Sequence, residues 1–221
     1  MTHTRAPTGE PGRDCPLCPR LVAFREANRA AFPAFFNAPV PVFGGPEARL
    51  LVVGLAPGLK GANATGRPFT GDHAGVLLYE TLRDFGFARG EYLARPDDGL
   101  TLVETRIVNA VRCVPPQNKP TPAEERTCRP FLTATLAQTP RLRCVVTLGR
   151  VAHGNALRAL GLRAAQAPFA HGGEARIDVG TAEIALLSSY HCSRYNTNTG
   201  VLTRDMFRNV FARARAILDA A

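Results

Sequence analysis

The chain has 221 residues, of which 45% are hydrophobic and 20% charged, a balance suited to one globular α/β domain with a sizeable core. Its 27 Lys and Arg against 18 Asp and Glu leave a net charge of +9, almost all of it from Arg, which favours a nucleic-acid partner over a small neutral substrate. No apolar run approaches the roughly 18 residues of a membrane span and no apolar segment opens the chain as a secretion signal would, so the expectation is a cytoplasmic protein without membrane contact.

Residues 1–14 carry Pro, Gly and Thr without periodicity and are expected to form a disordered tail, followed by a single domain over residues 15–221. Cys15 and Cys18 bracket two residues in CPLC, ahead of a segment with Leu21, Phe24 and Phe32 at helical spacing. No strand precedes that pair, unlike a thioredoxin-like redox motif.

Residues 50–53, with Leu55, read as a buried strand. They run into the glycine-rich stretch 54–75, GLAPGLKGANATGRPFTGDHAG, and then into a helical pattern, AGVLLYETLRDF. In an open parallel sheet a loop so placed lies at the carboxyl edge, where ligands bind and helix amides face anions. It is not a nucleoside-triphosphate cradle: Gly54, Gly58 and Gly61 surround a lone Lys60 with no hydroxyl after it, and no GxGxxG occurs. It does hold Pro57, Pro68, Phe69 and Asp72, and long loops inside compact domains are usually functional. This loop is the candidate active site.

A second buried strand, residues 105–111, contains Asn109, an amide that must find several hydrogen-bond partners if buried. Cys113 follows the strand, and Thr121 with Glu124 forms a capping box with Pro122 at the first helical position, placing Cys128 on a helix able to face Cys113. Cys144 lies in a third buried strand as a small apolar residue, and Cys192 lies in a loop beside His191. The four remaining cysteines, Cys15, Cys18, Cys113 and Cys128, point to a metal centre in a chain where disulfides are not expected. Zinc usually takes two close pairs, whereas one close pair and two wider cysteines suit an iron-sulfur cluster at least as well; the spacing leans to the cluster and leaves zinc open.

Residues 151–160 read as a helix, residues 183–188 as a fourth strand ending near His191, and residues 203–218 as a final amphipathic helix with interspersed arginines. Strands alternating with helices imply an α/β three-layer sandwich, a central parallel sheet of about four strands with helices on both faces. The glycine-rich loop, Asn109, Gly149 and the HCSRYNTNTG segment should then gather along one sheet edge.

GLAPG, GRPFTGD and the pattern HxSxxNxxTG from His191, together with the four cysteines in order, resemble the uracil-DNA glycosylase superfamily. Within it the chain is most similar to family 5, the type b enzymes with an iron-sulfur cluster, over residues 15 to about 203. Family 4 carries an acidic residue where Leu55 stands and lacks the acid after TG, so Leu55 and Asp72 favour family 5. The resemblance implies a DNA repair glycosylase that flips uracil, and other deaminated bases as further candidates, out of single- or double-stranded DNA, hydrolyses its N-glycosidic bond and leaves an abasic site. It implies catalytic roles for Asp72, His191 and Asn109, base binding by Phe69, Asn109, Ala56 and Gly58, and DNA contacts from Arg67, Ser193, Arg194, Tyr195, Asn196 and Thr199. Cys15, Cys18, Cys113 and Cys128 would hold a 4Fe-4S cluster, with zinc as the alternative, in a monomer. The family usually has Pro where Cys192 stands, which bears on the rigidity of that loop.

The residues themselves agree with such roles. Breaking an N-glycosidic bond builds positive charge on the sugar and negative charge on the base, so a donor is needed at the base and an anion near the sugar; His191 and Asp72 are of those types, and Phe69 offers a flat surface for a base taken out of the stack. A non-catalytic iron-sulfur DNA-binding or redox module would have no need of Asp72 beside Phe69. A small-molecule enzyme would have no need of the arginine excess.

Overall fold

A computed structural model describes residues 9–180 and 182–220. In chain order the elements are α1 (Pro19–Ala31), β1 (Leu50–Gly54), α2 (Ala62–Thr65), α3 (His73–Asp84), β2 (Ala88–Arg89), β3 (Thr101–Leu102), β4 (Thr105–Asn109), α4 (Pro122–Ala137), β5 (Cys144–Leu148), α5 (Arg150–Ala159), β6 (Glu174–Val179), β7 (Ala182–Ser189), α6 (Arg194–Asn198) and α7 (Arg204–Asp219). Among the described residues the main sheet has five strands in the order β4-β1-β5-β7-β6, and β2 pairs with β3 in a small separate hairpin. β4, β1, β5 and β7 are mutually parallel, and β6 runs antiparallel along β7.

The parallel core is the one expected; the sheet has five strands where about four were expected. The addition is β6, EARIDV, whose charges alternate with small or apolar residues and which buries only Ile177. An edge strand covered on one side reads as polar chain, while β1, β4 and β5 are buried along their whole length and read as apolar runs.

Successive strand residues point to opposite faces and each face meets its own helices. Leu50, Val52, Ile107, Val146 and Leu187 pack with Leu78, Tyr79 and Leu82 of α3 and with Phe207, Val210 and Phe211 of α7. Leu51, Val53, Val108, Val145 and Leu186 pack with Leu132 of α4 and with Ala152 and Leu157 of α5. That gives helix, sheet and helix layers. A third, smaller cluster joins Leu21 of α1 to Cys128 and Phe131 of α4, with Val111 and, at its margin, Ala56.

The expected tail falls partly on residues 1–8, which lie outside the described residues. Residues 9–14 are held against the domain: Glu10 pairs with buried Arg112 at 2.8 Å and Asp14 with Arg29 at 2.7 Å. Among the described residues no helix is long and apolar enough to cross a membrane.

Candidate active site

Parallel pairing brings the ends of β1, β4, β5 and β7 to one edge, where Gly54 stands in register with Asn109. A cleft open to solvent lies there and is lined by Leu55, Ala56, Gly58, Phe69, Asp72, Asn109, His191, Ser193 and Arg194, with Ala62, His73, Ala74 and Asn118. Phe69 and Asn109 are buried at its floor, 5% and 3% exposed. Both crowd the end of β1: a Cβ at Gly54 would lie 2.5 Å from Asn109 Oδ1 and 2.5 Å from Phe69 Cζ. A Cβ at Gly61 would likewise stand 2.6 Å from Asp72 Oδ2. The glycines are therefore the space into which these cleft side chains pack.

Asp72 is the N-cap of α3 and accepts the Gly75 N–H through Oδ1 at 3.1 Å. Burial pushes its carboxyl above the usual carboxylate range, opposed by the backbone amides of Gly75 and Ala74 and by the charge of His73. His191 stacks against Phe69 with ring centroids 5.9 Å apart. Burial pushes its imidazole down to about 4, so at neutral pH it is an uncharged hydrogen-bond donor. Its backbone is fixed by Asn196, whose Nδ2 donates to the His191 carbonyl at 2.8 Å. Cys192 is fully buried in the core and its thiol reaches the Ala74 carbonyl at 3.5 Å, tying this loop to α3.

Of the residues expected to contact DNA, Ser193 and Arg194 line the cleft and Tyr195 is 73% exposed beside them. Ser193 also caps α6, accepting from Asn196 N, and Thr199 is exposed with its hydroxyl on the Tyr195 carbonyl at 2.7 Å. Arg67 is placed otherwise. It is 5% exposed, forks onto Asp98 at 2.8 and 2.7 Å and lies over the rings of Phe43, Tyr79 and Tyr92. A guanidinium buried under three rings with its fork turned inward onto a carboxylate is not presented to a phosphate, so Arg67 is corrected from a DNA contact to part of the scaffold. Sequence reasoning missed two polar cleft residues, His73 and Asn118. His73 joins α3 to α6 through Nε2 and Thr197 Oγ1 at 3.1 Å, and Asn118 sits with Gln117 in consecutive left-handed conformations. The proline-flanked QNK turn was the available signal for Asn118.

Cys15, Cys18, Cys113 and Cys128 line a single small cavity with Leu21, Arg25 and Phe131. All four are free thiols, and burial pushes Cys113 up to about 11 and Cys128 up to about 12, each further raised by neighbouring cysteines. The Arg112 amide donates to Cys128 Sγ at 3.3 Å. Among the described residues no three His, Cys, Asp or Glu side chains are grouped as ligands of one metal ion. Arg25 is the informative neighbour. It is 3% exposed, donates to the Cys15 carbonyl at 3.1 Å and has a buried Nε with no hydrogen-bond partner; the acid nearest to it, Glu26, is itself half exposed at 3.6 Å. A buried cation lining the same cavity as four thiols fits a group that would turn them into thiolates.

Residues 41–215 match the family model of the uracil DNA glycosylase superfamily. The chain is 46% identical over 209 residues to the type-5 uracil-DNA glycosylase of Thermus thermophilus, covering 92% of this chain and 93% of that protein. It is 40% identical over 211 residues to the type-5 uracil-DNA glycosylase of Mycobacterium bovis, covering 92% and 78%. Its likeness to a type-4 uracil-DNA glycosylase, that of Thermotoga maritima, is 38% over 91 residues and covers 41% of this chain and 40% of that protein. On this match, and with a cleft at the sheet edge that holds all three sequence motifs, the chain belongs to the uracil-DNA glycosylase superfamily, in its type-5 branch.

Proposed function

We propose that this protein excises uracil from DNA by hydrolysing its N-glycosidic bond and leaves an abasic site. The observation that carries the reading is the meeting, in one cleft, of an aromatic face, a buried amide, an uncharged imidazole and a carboxylate: Phe69, Asn109, His191 and Asp72. A flipped base would stack on Phe69 and present its Watson–Crick edge to Asn109, with Ala56 and Gly58 leaving room for it. Neutral His191 would donate to the carbonyl that gains charge as the base departs, at no cost in proton transfer, and Asp72 would stabilise the sugar cation or aim the water. Ser193, Arg194 and Tyr195 at the rim would hold the backbone and fill the gap left by the base. Asn196 supports them by holding the His191 loop, and Thr199 lies at its outer end.

We further propose that Cys15, Cys18, Cys113 and Cys128 hold an iron-sulfur cluster of the 4Fe-4S type, with zinc as the alternative occupant. Its chemistry is structural: four bonds would fasten α1 and the CPLC turn to the end of β4 and to α4. Free thiols throughout suit a reducing compartment, the cytoplasm, and the protein is proposed to act on DNA as a monomer. The test is conversion of uracil-containing duplex and single strand to alkali-labile abasic sites. DNA left uncut by alkali after treatment at enzyme excess would reject the activity.

A further inference from the structure

Residues 67–70 form a tight turn closed by Thr70 N–H on the Arg67 carbonyl at 3.2 Å, with Pro68 second and Phe69 third. Phe69 has φ 54°. Proline second and positive φ third are the marks of a type II turn, in which the third residue is ordinarily glycine. Here glycine's conformation is taken by a bulky aromatic side chain, a backbone outlier at the floor of the cleft. Such a conformation persists only where the surroundings over-determine it.

The surroundings come from α3 and from the segment between β2 and β3, of which the latter does not line the cleft. The Tyr92 hydroxyl donates to the Phe69 carbonyl at 3.1 Å and accepts the Gly71 N–H at 3.4 Å, bridging the turn from outside. The Tyr79 hydroxyl donates to the Pro68 carbonyl at 2.6 Å, and its ring stacks on Tyr92 with centroids 4.6 Å apart. Arg67 Nε reaches Thr70 Oγ1 at 2.7 Å while its other nitrogens fork onto Asp98, whose side chain is wholly buried and also accepts the Leu93 and Leu100 amides. Finally, a Cβ at Gly75 would lie 1.7 Å from the Phe69 carbonyl and 2.4 Å from the Tyr92 hydroxyl. Gly75 is also the residue whose amide Asp72 caps, so the clamp sets the aromatic face and the carboxylate together.

We propose that Tyr92, with Asp98 acting through Arg67, is a positioning residue of this active site: it holds Phe69 in a glycine conformation so that the ring faces the base. This rests on the reading of Phe69 as the stacking surface. The two are separated by a double-mutant cycle in single-turnover excision of uracil from duplex at enzyme excess, with thermal melts alongside. Tyr92→Phe keeps the ring stack and removes only the bridging hydroxyl. Expected is a loss of about tenfold in the wild-type background, with affinity for the intact duplex unchanged, and no further loss in a Phe69→Ala background. An equal loss in both backgrounds would make Tyr92 a general stabiliser and overturn the clamp, as would a wild-type rate for Tyr92→Phe. A wild-type rate for Phe69→Ala alone would instead remove the stacking reading, and the clamp with it.

Discussion

Asp72 meets two demands at once. As N-cap it accepts the Gly75 amide, a contact worth about 1 kcal/mol to the helix, and through Oδ2 it faces the bend at Gly58 and Gly61, on the cleft side. Asn caps as well as Asp but carries no charge. Asp72→Asn should therefore keep its melting temperature and its affinity for uracil-containing duplex, while single-turnover excision falls about tenfold or more, at roughly 1.4 kcal/mol per decade. Retained excision with a lowered melting temperature would leave Asp72 a cap alone. His191 makes a pH-dependent prediction. Its folded value is about 4 against 6.5 for the free imidazole, so between those values the unfolded chain binds the additional proton. Its contribution to stability is thus complete above about pH 6.5 and is lost as pH falls toward 4, on the order of 2 kcal/mol at pH 5. Melts at pH 5 and 7.5 should differ less for His191→Gln than for the wild type; equal differences would mean that the imidazole is not held neutral by burial.

Among the elements, those buried along their whole length were legible, and short or half-exposed ones were not. β1, β4 and β5 read directly as apolar runs, and the capping box at Thr121 and Glu124 starts α4 where its sequence says. The hairpin of β2 and β3 has two residues per strand and no periodicity to detect, yet it frames the segment that clamps Phe69. Arg67 was misplaced for a related reason: an arginine in a glycine-rich loop carries no mark of the distant Asp98 that buries it. The cysteines were legible by type and spacing, whereas Arg25, one helical residue among several arginines, gains meaning only from its burial beside them. Element-scale coupling follows from their place. Ala56 of the glycine-rich loop packs at the margin of the cysteine cluster, and Asn63 of α2 donates to Asn37 at 2.9 Å, which in turn holds the Phe32 carbonyl at the end of α1. Cys113→Ala should give protein without the brown colour of a cluster and with a lower melting temperature, since binding the group and folding are coupled. A colourless wild type holding one zinc per chain would replace the cluster with the alternative metal.

On the scale of the whole molecule, the net charge of +9 is not spread evenly in effect, because many arginines already have partners. On α7, Arg204 pairs with Glu80, Arg208 with Asp84, Arg213 with Glu174 at 2.6 Å, and Arg215 with Asp219 at 2.9 Å. That helix covers the sheet face opposite α4 and α5, and its charges are spent within the fold. Arg194, by contrast, is exposed and lines the cleft, where on the proposed reading a backbone phosphate beside the flipped nucleotide would pass. Phosphate contacts release counterions, so affinity for duplex should fall steeply and linearly in log salt, by about 0.9 in slope per phosphate neutralised. Arg194→Ala should weaken binding to all sequences alike and make the slope shallower by about one, whereas Arg208→Ala should leave the slope unchanged and cost only a little stability, as exposed ion pairs do. Titrations of a fluorescent duplex from low to moderate salt measure both. The same slope for Arg194→Ala as for the wild type would place the DNA backbone on another face of the molecule.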